Sequence, residues 1–275
     1  MTTQFANVSL ICSFFLLYPV GIFLFLALLK KSCFSTKKTY EEKSALPDPF
    51  ETFFIFLAAI IIIPFIMLFI IQSFSLNSTQ VVRFLARTLI TITSVLLLLK
   101  IIVPVSYRHI VGKKHFYAMW QGFLWALAIA WIIFSLYIIS RSVIQYFTNI
   151  PPPQQEALML LKQHKDTPVL YGVFIFAITT WLPIYEELIF RGLIQNLLLL
   201  KLRPTIAIAL TSAIFALFHY SRLQGSDNIA VIISIFCLSL FLGRIYFKER
   251  SILAPIALHV TYNSIMLAIF LQTTT

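Results

Sequence analysis

The chain has 275 residues, of which 60% are hydrophobic and only 11% are charged, and its mean hydropathy is +0.91. Soluble domains carry roughly 25% charged residues, so this composition excludes an ordinary soluble protein and predicts an integral membrane protein. The formal net charge is +11, but Lys and Arg form short clusters between apolar runs, so we expect contact with the lipid bilayer and no nucleic-acid partner.

Apolar runs recur along the chain and predict an all-α, polytopic membrane helix bundle of about eight transmembrane helices, at roughly 20 residues per span. The first four spans are predicted at about 8–29, 52–74, 84–105 and 117–139. A connection from Arg141 to Thr167 follows, and its three consecutive prolines exclude regular helix locally. The last four spans are predicted at about 169–200, 205–220, 229–247 and 252–271.

This layout divides the chain into two regions. We expect an N-terminal transmembrane region of about four spans with a linking loop at 1–165, and a second transmembrane region of about four spans at 166–275. Most Lys and Arg residues fall in alternate connections, as at Lys30-Lys31 and Lys113-Lys114. Because basic loops tend to stay in the cytoplasm, the pattern predicts a multi-pass protein with these loops cytoplasmic.

The fifth predicted span contains three ionisable residues, Glu186, Glu187 and Arg191. An ionisable side chain at membrane depth costs about 2.5–3.5 kcal/mol even on the lenient insertion scale, so the cluster needs a reason. Glu187 and Arg191 are spaced i,i+4 with Glu first, which favours a salt bridge along the helix. Glu186 is turned by about 100° and lacks that partner. We expect Glu187 and Arg191 to support the structure and Glu186 to take part in the reaction. The alternative is that all three residues form one buried ion-pair network with no catalytic role.

Two histidines, His219 and His259, also lie within predicted spans, and Asn263 follows His259 at helical spacing. Glu186 lies 16 residues before Leu202 and His219 lies 15 residues after Pro204, on either side of one short turn. At 1.5 Å per residue both are roughly 22–24 Å from that turn, so they can meet at the same depth. A lone histidine in a membrane often only bridges two helices, and that alternative stays open here.

Three motifs now stand in order on successive predicted helices: Glu186-Glu187-x-x-x-Arg191, Phe215-x-x-x-His219 and His259-x-x-x-Asn263. Together they resemble the motifs of the CAAX protease and bacteriocin-processing (CPBP, or Abi) family of intramembrane proteases, which includes the type II CAAX prenyl endopeptidases. The resemblance covers about 169–271 and makes 166–275 the expected catalytic domain. It implies an endopeptidase that hydrolyses peptide bonds of membrane-associated proteins or peptides.

The resemblance also implies a role for each site residue. Glu186 with His219 would activate a water for attack on the scissile carbonyl, and His259 with Asn263 would stabilise the oxyanion. Family members are often called metalloproteases, yet His-Glu-x-x-His is absent from this sequence. Zinc bound by Glu186, His219 and His259 with an open fourth position is one alternative. The same residues also work without a metal, and we favour that metal-independent interpretation, with no other cofactor.

A second class of function stays open, a non-enzymatic membrane transporter or partner-binding scaffold in which buried Glu and His relay protons or lock helices together. The two hypotheses differ in geometry. Shared chemistry requires Glu186, His219, His259 and Asn263 to converge within about 4–6 Å of a water-sized space. A scaffold places them at separate helix interfaces.

Overall fold

The computed structural model describes residues 115–149, 161–163 and 165–274. Every regular element in this part of the chain is helical. Four of its helices are long and apolar enough to cross a membrane. The predicted all-α membrane bundle is thus confirmed for the described residues. The spans predicted at 8–29, 52–74 and 84–105 lie outside them, so the total of about eight remains a prediction.

Five main helices, α1 to α5, follow one another in the described part. Their bounds are His115–Thr148 for α1, Pro168–Leu199 for α2, Pro204–Leu217 for α3, Asn228–Glu249 for α4 and Leu253–Thr274 for α5. Helix α3 has only 14 residues, or about 21 Å at the rise of an α-helix, and is shorter than a membrane crossing. A 3₁₀ segment at Arg222–Asp227 precedes α4.

Helix α1 ends later than the sequence indicates. We predicted its end near residue 139 and placed Arg141 in the following connection, and this is wrong because the helix continues to Thr148. It stops where Asn149 adopts a left-handed backbone with φ of 54°. Arg141 stays within the helix, where its Nε atom lies 3.6 Å from a carboxylate oxygen of Asp227. A charge with a partner in a neighbouring segment need not mark the end of a span.

Two π-helical turns interrupt α2, at Ala177–Trp181 and Phe190–Gln195. They flank the α-helical segment Leu182–Ile189, which carries both glutamates. Pro183 in this segment has no N–H to donate to the preceding turn, and a wider turn there relieves its clash with that backbone. π-Helical turns are rare and occur frequently at functional sites, so the glutamate segment stands out within α2.

Helix α3 ends earlier than predicted. The span predicted at 205–220 included His219, but regular helix stops at Leu217 and His219 lies in the turn that follows. The backbone N–H of His219 bonds to the Ala216 carbonyl at 3.1 Å, and that of Tyr220 bonds to Leu217, both in the tighter i→i+3 pattern. His219 is therefore presented by a helix end rather than by the side of a helix.

Helix α1 packs against α4 and α5 although it belongs to the region 1–165. A Cβ atom added at Gly122 would collide with the Ala254 carbonyl oxygen and lie 3.0 Å from the backbone N of Leu258. Small residues allow membrane helices to approach this closely. Ala126, Leu242 and Leu258 belong to one buried cluster shared by the three helices. The domain boundary at 165 remains a prediction, because most of 1–165 lies outside the described residues.

Candidate active site

Glu186 lies between two imidazole rings. Its Oε1 atom is 3.9 Å from Nε2 of His219, and its Oε2 atom is 3.7 Å from Nε2 of His259. The three residues come from the middle of α2, the turn after α3 and the first half of α5. The structure therefore brings together Glu186 and His219, which we expected at the same depth, and adds His259 on the other side.

His219 is oriented by its own helix. Its Nδ1 atom is 2.8 Å from the carbonyl oxygen of Phe215, one turn earlier. A carbonyl only accepts hydrogen bonds, so Nδ1 carries the proton and Nε2 of the neutral ring presents its lone pair towards Glu186. The side chains of His219 and Glu186 remain 29% and 22% exposed. The described residues therefore leave this pair partly uncovered.

His259 is oriented by the second glutamate. Its Nδ1 atom lies 2.8 Å from Oε1 of Glu187, and its side chain is only 4% exposed. A carboxylate accepts this N–H, so the ring again turns Nε2 towards Glu186. Glu187 thus does more than pair with Arg191. Local spacing does not indicate the contact of Glu187 with His259, since the two residues are 72 positions apart.

Arg191 holds Glu187 in place and is fully buried. Its Nη1 atom donates to Oε1 of Glu187 at 2.7 Å, so the expected ion pair along α2 is present. Its Nη2 atom donates to Oγ of Ser239 at 2.6 Å and to the Ser239 carbonyl at 3.2 Å. Burying a guanidinium is tolerable only when it is paired and hydrogen-bonded in this way. The ion pair therefore ties the glutamate segment of α2 to α4.

Phe215 packs at the centre of these side chains. Its ring centroid is 4.7 Å from the Arg191 guanidinium carbon, 4.7 Å from the His219 ring and 6.0 Å from the His259 ring. The guanidinium over the ring face is a cation–π contact. The sequence included Phe215 in a motif without assigning it a role. Its spacing of i,i+4 from His219 was the available signal.

Asn263 lies one turn beyond His259 but makes a different contact. Its Nδ2 atom donates to the Ile178 carbonyl at 3.1 Å, and no hydrogen bond joins it to Glu186 or to either histidine within the described residues. The Ile178 carbonyl needs this donor. The N–H of Leu182 bonds to Ala177, and the next residue, Pro183, has no N–H. Of the four predicted catalytic residues, the structure brings three together.

Comparison with protein families bears on this arrangement directly. Residues 168–265 match the family model described as type II CAAX prenyl endopeptidase Rce1-like. The segment is an Rce1-like domain. It contains all three motifs, from Glu186 to Asn263, and the resemblance to the CPBP family is confirmed for this part of the chain. Comparison with curated proteins and with solved structures finds no match.

The match over 168–265 supports a CAAX-type intramembrane protease, and the four helices long and apolar enough to cross a membrane indicate an integral membrane protein. Helix α1 and the residues beyond 265 lie outside the matched segment. The cytoplasmic placement of the basic loops is not tested by these observations and remains a prediction.

The described residues of the Rce1-like domain give no support for a zinc site. No group of three His, Cys, Asp or Glu side chains in the described part is arranged to hold a metal ion. Glu186, His219 and His259 are the residues that would have bound zinc, so the metalloprotease alternative has no support here. We derive no step of the reaction through a metal.

Proposed function

We propose that this protein is an intramembrane endopeptidase that hydrolyses peptide bonds of membrane-associated proteins or peptides through a water activated by Glu186 and His219. The observation that carries the proposal is the carboxylate of Glu186, which lies 3.9 Å and 3.7 Å from the Nε2 atoms of His219 and His259. Each ring is held through its other nitrogen. A carboxylate beside oriented imidazoles is a general-base arrangement.

The spacing at Glu186 leaves room for a reactant. A separation of 3.9 Å between Oε1 and Nε2 of His219 is too long for a direct hydrogen bond. A water bonded to both atoms gives up a proton to Glu186 while its oxygen attacks the scissile carbonyl carbon. The carbonyl π bond opens to an oxyanion. When the C–N bond breaks, the proton passes to the leaving amine, which restores the carboxylate.

His259 faces the same space from the opposite side. In its protonated form it donates from both nitrogens, Nδ1–H to Glu187 and Nε2–H towards the Glu186 side, where the oxyanion develops. A well-placed donor of this kind stabilises the transition state by about 3–4 kcal/mol. Asn263 has one amide N–H on Ile178. Its second N–H is the further oxyanion donor that we propose.

The exposure and bonding of Glu186 favour chemistry over a scaffold. Its carboxylate makes no hydrogen bond within the described residues, and the two imidazole rings lie 3.7 Å and 3.9 Å from it. A residue that locks helices together is buried and hydrogen-bonded, as Glu187 is. If the following experiment shows no cleavage, it favours a transporter or partner-binding scaffold instead.

The test is a cleavage assay in phosphatidylcholine vesicles that contain the purified full chain. The probe is a fluorogenic peptide ending in a farnesylated cysteine and three further residues, with the same peptide lacking the lipid alongside it. We expect wild-type protein to cleave the lipidated peptide and Glu186→Gln to lower kcat by about 10³-fold, within the range for loss of a general base. The matched control is Glu249→Gln at the end of α4, where Glu249 lies 3.6 Å from Lys248. Equal rates for Glu186→Gln and wild type would refute the assignment.

A further inference from the structure

A buried side chain outside the three motifs makes three hydrogen bonds to the segment after His219. Asn228, the first residue of α4, is buried, and its Oδ1 atom accepts the backbone N–H of Ser221 at 2.9 Å. Its Nδ2 atom donates to the Ser221 carbonyl at 2.7 Å and to the Gly225 carbonyl at 2.9 Å. One amide therefore closes the loop between α3 and α4 with three hydrogen bonds.

These bonds act close to the candidate base pair. Ser221 is two residues beyond His219, in a stretch where the regular helix has already ended at Leu217. A residue at a helix end lacks the bonds that fix residues within a helix. Fixing Ser221 on both its N–H and its carbonyl therefore limits how far the His219 backbone can move. The ring of His219 needs that constraint, because its Nε2 must stay near Glu186.

The other end of the loop is anchored to α1. Asp227, adjacent to Asn228, accepts the Tyr137 hydroxyl at 3.1 Å, and its second oxygen lies 3.6 Å from Nε of Arg141. The Asp227 side chain is 1% exposed. Gly225 between the two anchors has φ of 49° and ψ of −129°, a conformation that a residue with a Cβ rarely adopts. The loop is thus fixed at both ends and shaped in the middle.

We propose that Asn228 is a positioning residue for catalysis: by clamping Ser221 and Gly225 it holds the His219 imidazole at Glu186. The proposal rests on the proposed endopeptidase function. It assigns a role in the reaction to a side chain that touches neither substrate nor the reacting atoms. A role limited to the stability of the fold is the competing explanation.

The experiment compares Asn228→Ala with wild type in the same vesicles and with the same farnesylated peptide. A displacement of about 1 Å at a reacting group costs about 10²-fold in rate. We therefore expect kcat to fall about 10- to 100-fold. KM, expressed as the mole fraction of peptide in the vesicle, should stay within about twofold of the wild-type value. This is the pattern for an interaction lost only in the transition state. Asn228→Asp retains the acceptor for the Ser221 N–H but turns a second oxygen towards the carbonyls of Ser221 and Gly225, so its kcat should fall as well.

The matched control is Asn196→Ala in α2. Asn196 also makes two hydrogen bonds, to the Gly192 carbonyl at 2.9 Å and to the Tyr246 hydroxyl at 2.7 Å, and it lies on α2 rather than in the loop that follows His219. We expect Asn196→Ala to lower Tm without lowering kcat. Tm and kcat are measured for each variant, so that the loss of kcat in the Asn228 variant can be compared with that in Asn196→Ala at an equal loss of stability. If Asn228→Ala does not fold, Asn228→Asp is compared with Asn196→Ala instead.

The proposal is overturned if the Asn228 variant keeps kcat within about twofold of wild type, or if its loss of kcat equals that of Asn196→Ala at the same Tm. Failure of the proposed function has a different signature. In that case wild type does not cleave the peptide, or Glu186→Gln cleaves it at the wild-type rate. The positioning role alone is rejected if wild type cleaves the peptide, Glu186→Gln does not, and Asn228→Ala cleaves it at the wild-type rate.

Discussion

Two adjacent glutamates in α2 have opposite environments. Glu187 is fully buried and accepts hydrogen bonds from Arg191 at 2.7 Å and His259 at 2.8 Å. Glu186 is 22% exposed and lies 3.7 Å and 3.9 Å from two histidine nitrogens, with no hydrogen bond in the described part. One position of helical rotation thus separates a carboxylate held by two hydrogen bonds on its Oε1 atom from one that makes none in the described part. In the proposed reaction the first supports the site and the second acts as the base.

The largest expected effect on stability comes from Glu187→Gln. The substitution removes the negative charge beside Arg191, whose guanidinium has no exposure to water, and breaking a buried pair costs about 3–5 kcal/mol. Chemical denaturation in detergent measures the free energy of unfolding. Replacing both residues by Met should recover part of the loss, since no unpaired charge remains. A double variant less stable than Glu187→Gln would contradict this account of the pair.

Ser239→Ala should have the next largest effect. It removes the hydroxyl that accepts from Arg191 at 2.6 Å, and a hydrogen bond to a charged group contributes about 1.5–3 kcal/mol. The matched control is Ser234→Ala on the same helix, because the buried Ser234 hydroxyl has no hydrogen-bond partner among the described residues. The same denaturation measurement should show little change for that control. Equal losses for the two variants would show that the bond to Arg191 does not stabilise the fold.

Phe215→Leu should lower kcat about tenfold with a smaller loss of stability. Leucine fills much of the space of the phenyl ring but loses its contacts with Arg191, His219 and His259. The contact with Arg191 is a cation–π interaction, which contributes about 2 kcal/mol when it is desolvated. Phe218→Leu makes the same change at an exposed ring that packs on Phe190 at 5.8 Å. Its kcat should stay within about twofold of wild type. A larger loss for Phe218→Leu than for Phe215→Leu would remove the role given to Phe215.

Chelation should have the smallest effect. Because the available side chains in the described part form no metal-binding group, we expect 1,10-phenanthroline to leave the cleavage rate of the wild type unchanged. Elemental analysis of the purified protein is the second readout and should show no stoichiometric zinc. Loss of activity that zinc restores would instead establish a metal-dependent reaction and require a different role for Glu186.

The sequence predicted much of this site because local spacing carries the information. The i,i+4 spacing indicated the contact of Glu187 with Arg191, and counting residues from one short turn placed Glu186 and His219 at the same depth. Hydropathy located the helices within a few residues. Each of these inferences depends on one helix or on two helices joined by a short turn.

The rest depends on contacts between distant segments. The bond of His259 to Glu187 and that of Arg191 to Ser239 join residues 72 and 48 positions apart. The loop after α3 is held by Asn228, and Arg141 within α1 is paired with Asp227, and neither partner is indicated by local spacing. Asn263 donates to the Ile178 carbonyl, which Pro183 leaves without an N–H donor. Pro183 was visible in the sequence, but its consequence on another helix was not.

The most direct test of the contrast between the two glutamates uses Glu186→Gln. Two quantities are measured on this variant, its cleavage rate for the farnesylated peptide and its free energy of unfolding. The carboxylate of Glu186 makes no hydrogen bond in the described part and is partly exposed, so unfolding should change by no more than about 0.5 kcal/mol, as for substitutions away from special features. The rate should fall about 10³-fold because the general base is lost. Cleavage at the wild-type rate, or a loss of stability as large as that of Glu187→Gln, would contradict the division between a supporting and a reacting glutamate.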